Sequence, residues 1–210
     1  MSNWLNSVCV PWVCGRRRFT GAVALLLSGW LAGCQPRYEN LPTFSTNRKL
    51  LQVVVETPAG TNHPYHYEPA TQDFVPVRRA GLELVVEFLP CPGNLGFVPG
   101  TRVGSADRQL SALVLAEAQP AGTVLEVIPV GIITLDDNGE LQPVILTVPA
   151  RPSQQILPEV VAWQELVGRY PEVQEGIRQW FLHQGRPGEI RIVGWKDEKA
   201  AEQQVKAAMN

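Results

Sequence analysis

Glu56 and the two histidines that follow it are the first side chains whose types and spacing could bind a metal ion. His63 and His66 lie on the stretch directly after Glu56, which is bounded by prolines. Carboxylate and imidazole together suit softer divalent metals such as zinc. The alternative is that the two histidines lie on a turn and an edge strand and bind nothing. We favour this second interpretation.

A cysteine near the N-terminus carries a different chemistry. Arg16 to Arg18 form a basic block, Phe19 to Trp30 form an apolar run, and Leu31-Ala32-Gly33-Cys34 follow directly. The run is shorter than the roughly 20 apolar residues that span a bilayer. Leu31 to Cys34 resemble a bacterial lipobox, in which the cysteine is lipidated after cleavage. The alternative is a buried apolar helix followed by an ordinary thiol. We therefore predict a signal peptide over residues 1–33 and lipid attachment at Cys34.

The predicted export to the bacterial cell envelope, together with the composition of the mature chain, limits its possible functions. After cleavage 15 Lys and Arg face 20 Asp and Glu, and such an acidic domain is a poor candidate for binding nucleic acid. Cys91 would be the last free thiol, so an intrachain disulfide is excluded. It could have a thiol role or be a small, half-buried residue in a turn, and we favour the turn residue. Arg16-Arg17-Arg18-Phe19 also resembles a twin-arginine signal, so the general and twin-arginine export routes both stay open.

The remaining sequence predicts a tether over residues 34–49 and one domain over residues 50–210. Short runs rich in Val, Ile and Leu alternate with Pro–Gly and Asn–Gly turn signals, which favours a closed barrel or a sandwich. The predicted strands are Leu50–Glu56, Leu82–Phe88, Ala112–Ala116, Thr123–Val130, Ile132–Leu135, Val144–Val148 and, near the C-terminus, Glu189–Val193.

The last third of the chain changes to a helical period. Pro158–Tyr170 is predicted as one helix, and Pro171 opens a second in which Val173, Ile177, Trp180 and Phe181 share one face. Lys196–Met209 is predicted as a closing helix. We therefore expect a mainly β domain, a barrel with C-terminal helices packed outside it.

Several blocks in this domain resemble the family I soluble inorganic pyrophosphatases. Residues 56–62 read E-T-P-A-G-T-N against the family's E-I-P-A-G-x-N, and residues 88–101 read F-L-P-C-P-G-N-L-G-F-V-P-G-T against F-L-P-Y-P-G-N-Y-G-F-I-P-G-T. Later blocks at residues 113–117, 122–131, 180–183 and 193–199 follow in the family's order. The resemblance implies an OB-like five-stranded barrel and Mg²⁺-dependent hydrolysis of diphosphate to phosphate.

The resemblance also implies a site of Mg²⁺-binding carboxylates surrounded by cations and tyrosines that hold the phosphates. Glu56 and Asp137 stand at positions where the family has carboxylates. Asp136 could take the place of Asp137 if the alignment shifts by one residue. Asp107 lies one residue away from the position of a family carboxylate. The other family positions are substituted. The carboxylate positions hold His66, Ala106, Arg108, Ser111 and Gln142, the cation positions hold Pro64, Leu84, Val144 and Gly185, and the tyrosine positions hold Cys91, Leu95 and Gln184.

These substitutions predict that a full Mg²⁺ cluster does not form. A metal ion near Arg108 meets a repulsion on the order of a few kcal/mol at about 4 Å. We therefore expect a lipid-anchored, catalytically inactive binding or assembly module. It could be a homo-oligomer or assemble with an active paralogue. The first alternative is an active diphosphatase whose metal ions use Glu56, Asp107, Asp137 and backbone oxygens in a remodelled site. Arg78 or Arg79 could take the place of the family cation that is missing at Leu84. The second is a pocket for a small apolar or neutral ligand near Leu84, Cys91, Leu95 and Val144.

Overall fold

A computed structural model describes residues 37–104 and 108–209, and it places a closed barrel of long strands at the centre of this region. The strands are β1 Leu51–Thr57, β2 Tyr65–Glu68, β3 Asp73–Pro76, β4 Arg78–Arg79, β5 Leu82–Glu83, β6 Asn94–Val103, β7 Arg108–Val114, β8 Val124–Asp137, β9 Glu140–Pro149 and β10 Ile190–Asp197. The helices are α1 Trp163–Arg169, α2 Pro171–Leu182 and α3 Glu198–Ala208, and short 3₁₀ turns span Tyr38–Asn40 and Pro152–Gln154.

Strand pairing confirms the OB-like five-stranded barrel. The order β1-β6-β7-β9-β8 closes because β8 also pairs with β1. All of these pairs are antiparallel except β7 with β9. β10 continues the sheet on the far side of β8, so β8 pairs with three strands. Closure leaves the barrel with no open strand edge between β1 and β8.

Side chains that alternate along the strands belong to two different hydrophobic cores. Leu113 of β7 and Val144 of β9 belong to the core that buries Ile177 and Phe181 of α2. Their neighbours Ala112 and Ile145 belong to the core that buries Val205 of α3. Since successive strand residues point to opposite faces, one barrel wall packs against both sets of helices. The prediction of helices packed outside the barrel is therefore confirmed.

A close backbone approach sets the β1–β6 pairing. A Cβ atom on Gly96 would lie 1.9 Å from the carbonyl oxygen of Val54, so only glycine fits there. Asn94, fully buried at the start of β6, accepts hydrogen bonds from the amides of Ala59 and Gln119 through Oδ1. These contacts explain why Asn94, which follows Gly93 in a predicted turn, is also the first residue of β6.

The helices begin and end close to the predicted positions, with one exception. α2 starts at Pro171 as expected and buries Ile177, Trp180 and Phe181. α1 starts five residues later than the predicted Pro158, because the carboxylate of Glu165 accepts the amides of Val161 and Ala162 and fixes the helix start there.

The predicted strand Leu82–Phe88 is wrong beyond its first two residues. Only β5 is extended, and it pairs with β4. The side-chain amide of Asn62 donates to the carbonyls of Val86 and Phe88, so a side chain takes the place of a strand partner. Leu82 and Leu89 are exposed, which removes the packing that a central strand would need.

Three further strand features differ from the prediction. β6 runs through the Pro99-Gly100 turn signal, where its pairing with β7 is irregular. The predicted runs 123–130 and 132–135 are one strand, β8, with an irregularity at Gly131. His66 lies on β2, as the interpretation of an edge strand predicted, but the pairing of β2 with β3 was not predicted, because the mixed sequence of this hairpin lacks a clear alternation.

The predicted tether is wrong for its described part. Tyr38 contacts the rings of Tyr67 and Phe74 edge-on, and Thr43 is buried with its hydroxyl donating to the carbonyl of Pro99. The polar composition of this segment concealed these few aromatic and hydroxyl contacts. Residues 37–49 therefore pack on the barrel.

The predicted signal peptide and Cys34 lie outside the described residues. Within residues 37–104 and 108–209, no helix combines the length and the apolar character needed to cross a membrane.

Candidate functional site

Four of the positions that the family resemblance assigns to its site line one cavity of about 540 Å³. Glu56 enters it from β1, His66 from β2, and Arg108 and Ser111 from β7. The other lining residues are Glu39, Tyr67, Pro69, Phe97, Arg102 and Gln109. Ala106 and Asp107 lie outside the described residues, so the structure gives no account of them.

Glu56 is a carboxylate that the fold holds in a poorly solvated place. Its Oε1 accepts a hydrogen bond of 2.7 Å from the amide of Tyr67. Burial raises the pKa of Glu56 from 4.5 to about 7, and the Tyr67 amide opposes this shift only in part. The carboxyl group is therefore partly protonated near neutral pH, which weakens it as a ligand for a hard cation.

Arg108 places a positive charge at a position that the resemblance assigns to a carboxylate. Its guanidinium donates to Oε1 of Glu140, at the start of β9. Both side chains are about half exposed, so the pair contributes little stability. The chemical effect of this pair is that Arg108 neutralises the carboxylate of Glu140.

Asp136 and Asp137 lie at the end of the β8–β9 hairpin and have partners there. Asp137 accepts the side-chain amides of Asn138 and, at 3.2 Å, of Gln142. Asp136 accepts from Arg191 and from the amide of Gly139. Asp137 is not among the residues that line the Glu56 cavity, so the two retained carboxylates do not share that cavity.

A third ion pair between an arginine and a carboxylate lies next to the β8–β9 hairpin. Arg79 donates to Oε2 of Glu189 at 3.1 Å, and its side chain remains about half exposed. The amide of Arg186, then Arg79 and Asn138, hold the pKa of Glu189 below its usual range. A Cβ atom on Gly185 would lie 2.5 Å from the same Oε2, so glycine leaves room for this carboxylate.

The substituted apolar positions are part of the protein interior. Cys91 and Val144 are buried in the core that packs against α2, and Leu95 packs against the same core. Leu84 is half-buried on the segment after β5, where its amide donates to the carbonyl of Val77. None of these four residues lines the cavity that contains Glu56, and the pocket for an apolar ligand among them stays a prediction.

Cys91 is a structural thiol. It is buried, its Sγ donates to the carbonyl of Gly93 at 3.0 Å, and burial raises its pKa to about 12. A thiol so protonated is a poor nucleophile. The predicted turn residue is confirmed, although it is fully buried and not half-buried.

The remaining substituted positions lie at the end of α2 and before β2. The ring of His183 stacks on Phe88 with a centroid distance of 3.9 Å, and its Nδ1 pairs with the carbonyl of Gln179. Gln184 follows directly and is half-buried. Pro64 accepts the amide of Val77 through its carbonyl oxygen, so it serves the backbone of the β2–β3 region.

The described residues do not fit a metal cluster. Among residues 37–104 and 108–209, no group of three or more His, Cys, Asp or Glu side chains is placed to hold an ion. Mg²⁺ needs several oxygen ligands in near-octahedral geometry. Glu56, Arg108 and Ser111 line the same cavity, and only Glu56 of these three offers a carboxylate.

Sequence reasoning missed six lining residues of the cavity, and three of them carry a charge or an amide group. Gln109 follows Arg108 on β7, Arg102 lies on β6, and Glu39 comes from the segment predicted to be a tether. Glu39 accepts the hydroxyl of Tyr67 at 2.8 Å. None of these three corresponds to a residue of the quoted family motifs, and no pattern in the local sequence indicates them.

Replacing Glu56 with Gln should change the pH dependence of stability. The folded chain binds the Glu56 proton more tightly than the unfolded chain does, so this group's contribution is full below about pH 4.5 and is lost as pH rises towards 7. Glu56→Gln keeps the acceptor for Tyr67 and carries no charge. Its free energy of unfolding in urea should equal that of the parent near pH 4.5 and exceed it by about 1–3 kcal/mol at pH 8. The exposed Glu87→Gln is the control, and a difference that does not change with pH would contradict the prediction.

Comparisons with known proteins agree with this fold. The sequence model of the inorganic pyrophosphatase family matches residues 53–210. An inorganic pyrophosphatase of Agrobacterium fabrum is 31% identical over 169 residues, which cover 76% of this chain and 88% of the relative. One of Mesorhizobium japonicum is 28% identical, with 80% and 93% covered.

Solved structures agree as well. The crystal structure of inorganic pyrophosphatase from Thermus thermophilus superposes with a TM-score of 0.71 at 23% identity, and covers 83% of this chain and 97% of that one. At this identity the likeness shows the shared fold. Together with the family match over residues 53–210, it shows that the chain belongs to the inorganic pyrophosphatase family.

Proposed function

We propose that this protein is a lipid-anchored member of the family that does not hydrolyse diphosphate and acts as a binding or assembly module at the bacterial cell envelope. The observation that carries the proposal is Arg108, paired with Glu140, at the wall of the cavity where the family's metal carboxylates belong. Ser111 on the same strand supplies no charge. A cation cannot replace a carboxylate as a metal ligand.

Loss of the cations supports the same proposal. Pro64, Leu84, Val144 and Gly185 stand at the positions of the family's phosphate-binding cations, and Val144 is buried in the core. Transition-state stabilisation by positioned charges is usually the largest catalytic contribution in such chemistry, and loss of one group typically costs about 10²–10³ in rate. A site that lacks both the metal-binding carboxylates and the phosphate-binding cations has no means to bind Mg²⁺-diphosphate productively.

The second candidate is an active diphosphatase with a remodelled metal site. Glu56 favours it, because a family carboxylate still lines the cavity. In that case Glu56 and Asp137 would bind Mg²⁺ together with backbone oxygens, and each would be needed for turnover. The two candidates therefore differ in the rate at which the protein releases phosphate from Mg²⁺-diphosphate.

Phosphate release from Mg²⁺-diphosphate by the purified full chain should equal the background rate, because the site lacks most of its charged groups. Glu56→Ala and Asp137→Ala should leave that rate unchanged. An active pyrophosphatase of the family serves as the positive control, and the exposed Asp73→Ala as the matched variant. Turnover well above background that Glu56→Ala and Asp137→Ala abolish, while Asp73→Ala retains it, would establish the second candidate and contradict the proposal.

Lipid anchoring is tested separately, because it depends on the sulfur atom of Cys34. In a bacterial host fed an alkyne fatty acid, the full chain should become labelled and pellet with the membranes. Cys34→Ser should lose the label and remain at its uncleaved mass, whereas Cys14→Ser should behave as the parent. Labelling that survives Cys34→Ser would contradict the lipid anchor.

Self-association or assembly with an active paralogue is the role we propose for the anchored domain. The family fold is retained around a substituted site, and such a domain can still present the family's surfaces. Assembly with a paralogue would place this chain beside diphosphate hydrolysis without requiring its own turnover.

A further inference from the structure

A groove of about 300 Å³ lies between the segment before β1, the strand β8 and the helix α3, and it shares no lining residue with the Glu56 cavity. We call it the α3 groove. Its apolar lining includes Phe44 and Leu50 from the segment, Ile128 and Pro129 from β8, and Val205 from α3. Val205 belongs to the buried core beneath the groove, whereas the other four side chains are only partly covered. The described residues therefore leave apolar surface here that a second molecule can bury.

Two lysines flank this apolar lining. Lys49 contributes from the turn before β1 and Lys206 from the last turn of α3, and both side chains are exposed. Neither lysine forms an ion pair with a carboxylate of the described residues. The lining contains one acidic residue, Glu202, so two lysines against one glutamate leave an excess of one positive charge. An apolar groove with cations at its edge fits a molecule that joins an apolar chain to an anionic group.

The backbone fixes the position of Lys49 beside the groove. Its φ of 56° lies in the left-handed region, which residues other than glycine rarely adopt. The amide of Lys49 donates to the carbonyl of Ser45 at 2.9 Å, and the hydroxyl of the buried Ser45 accepts the amide of Leu50. Such a conformation persists only where surrounding contacts determine it. The turn therefore holds the Cα atom of Lys49 in place, while the charged end of its side chain remains exposed.

The groove lies in the part of the domain that follows the predicted lipid anchor. Arg37 is three residues after Cys34, which limits their separation to about 11 Å. A Cβ atom on Gly122 would lie 2.6 Å from the hydroxyl oxygen of Tyr38, so the start of the described chain contacts Gly122. Val127, which lines the groove, follows five residues later, and extended backbone of that length spans about 17 Å. Lipidation of Cys34 would therefore keep this part of the domain near the membrane surface.

We propose that the α3 groove binds one acyl chain of an anionic phospholipid from the anchoring membrane, with Lys49 and Lys206 paired to the phosphate of that lipid. The inference rests on the proposed lipid anchor, which brings the groove close to a bilayer. A volume of about 300 Å³ is at the lower end of the range for small-molecule sites, which suits a single acyl chain. The chain removes apolar surface of the groove from water, and each lysine adds attraction to an anionic membrane. Binding would fix the orientation of the domain on the membrane.

Photocrosslinking in lipid nanodiscs tests the proposal. The purified full chain is reconstituted into phosphatidylcholine nanodiscs that contain a small fraction of a probe lipid with a diazirine on one acyl chain, and the crosslinked residues are mapped by mass spectrometry. A phosphatidylglycerol probe should label Phe44, Leu50 and Val205 at least about fivefold more strongly than a phosphatidylcholine probe. Crosslinks scattered over the surface, or equal labelling of the groove by the two probes, would overturn the inference.

Matched lysine variants separate the groove from a general attraction of the domain to a charged surface. Lys49→Gln combined with Lys206→Gln should reduce phosphatidylglycerol labelling to the phosphatidylcholine level. Lys196→Gln combined with Lys199→Gln removes the same charge at exposed positions outside the groove and should leave the labelling unchanged. All four side chains are exposed, so both double variants should fold, and their melting temperatures check this. Equal loss of labelling in the two double variants would overturn the inference.

Two further arms identify the source of the anionic group and separate this inference from the proposed anchor. Glycerol phosphate, which lacks an acyl chain, should not compete with the phosphatidylglycerol probe, and competition would overturn the lipid as occupant. An anchored chain whose groove is not labelled would overturn this inference alone. Groove labelling on added vesicles by a chain that carries no lipid at Cys34 would contradict the anchor and support the groove as a lipid site.

Discussion

The neutralisation of carboxylates by arginines of the same chain is the interaction on which the chemistry of this protein depends. Glu140 pairs with Arg108, Asp136 with Arg191, and Glu189 with Arg79. In a magnesium enzyme, metal ions offset the charge of the carboxylates around them. In the described part of this chain, guanidinium groups offset the charge of these three carboxylates. A guanidinium group stays protonated and cannot activate water as a metal ion does.

The fold does not depend on these pairs, because they are exposed and contribute little free energy. The barrel is held by its two cores, by closure of β1 on β8 and by close approaches such as Gly96 to Val54. Cys91 and Val144, at positions that the resemblance assigns to polar site residues, are buried in one of these cores.

The barrel and the two long C-terminal helices were predictable from sequence, since they follow from apolar runs, helical periodicity and motif blocks. The arginine partners were not. Arg79 and Glu189 are 110 positions apart, and no local pattern links them. The packing of Tyr38 and Thr43 was missed for a similar reason, because a few long-range contacts decided it against a polar composition. Glu39, Arg102 and Gln109 reach the cavity only through the tertiary fold.

Anomalous scattering from crystals grown with Mn²⁺ and diphosphate tests the central claim most directly, because Mn²⁺ occupies Mg²⁺ sites and is seen without reference to activity. The account predicts no manganese peak ligated by Glu56 or Asp137, and Arg108 still paired with Glu140. Two or more manganese ions bound by protein carboxylates and in contact with diphosphate would contradict it.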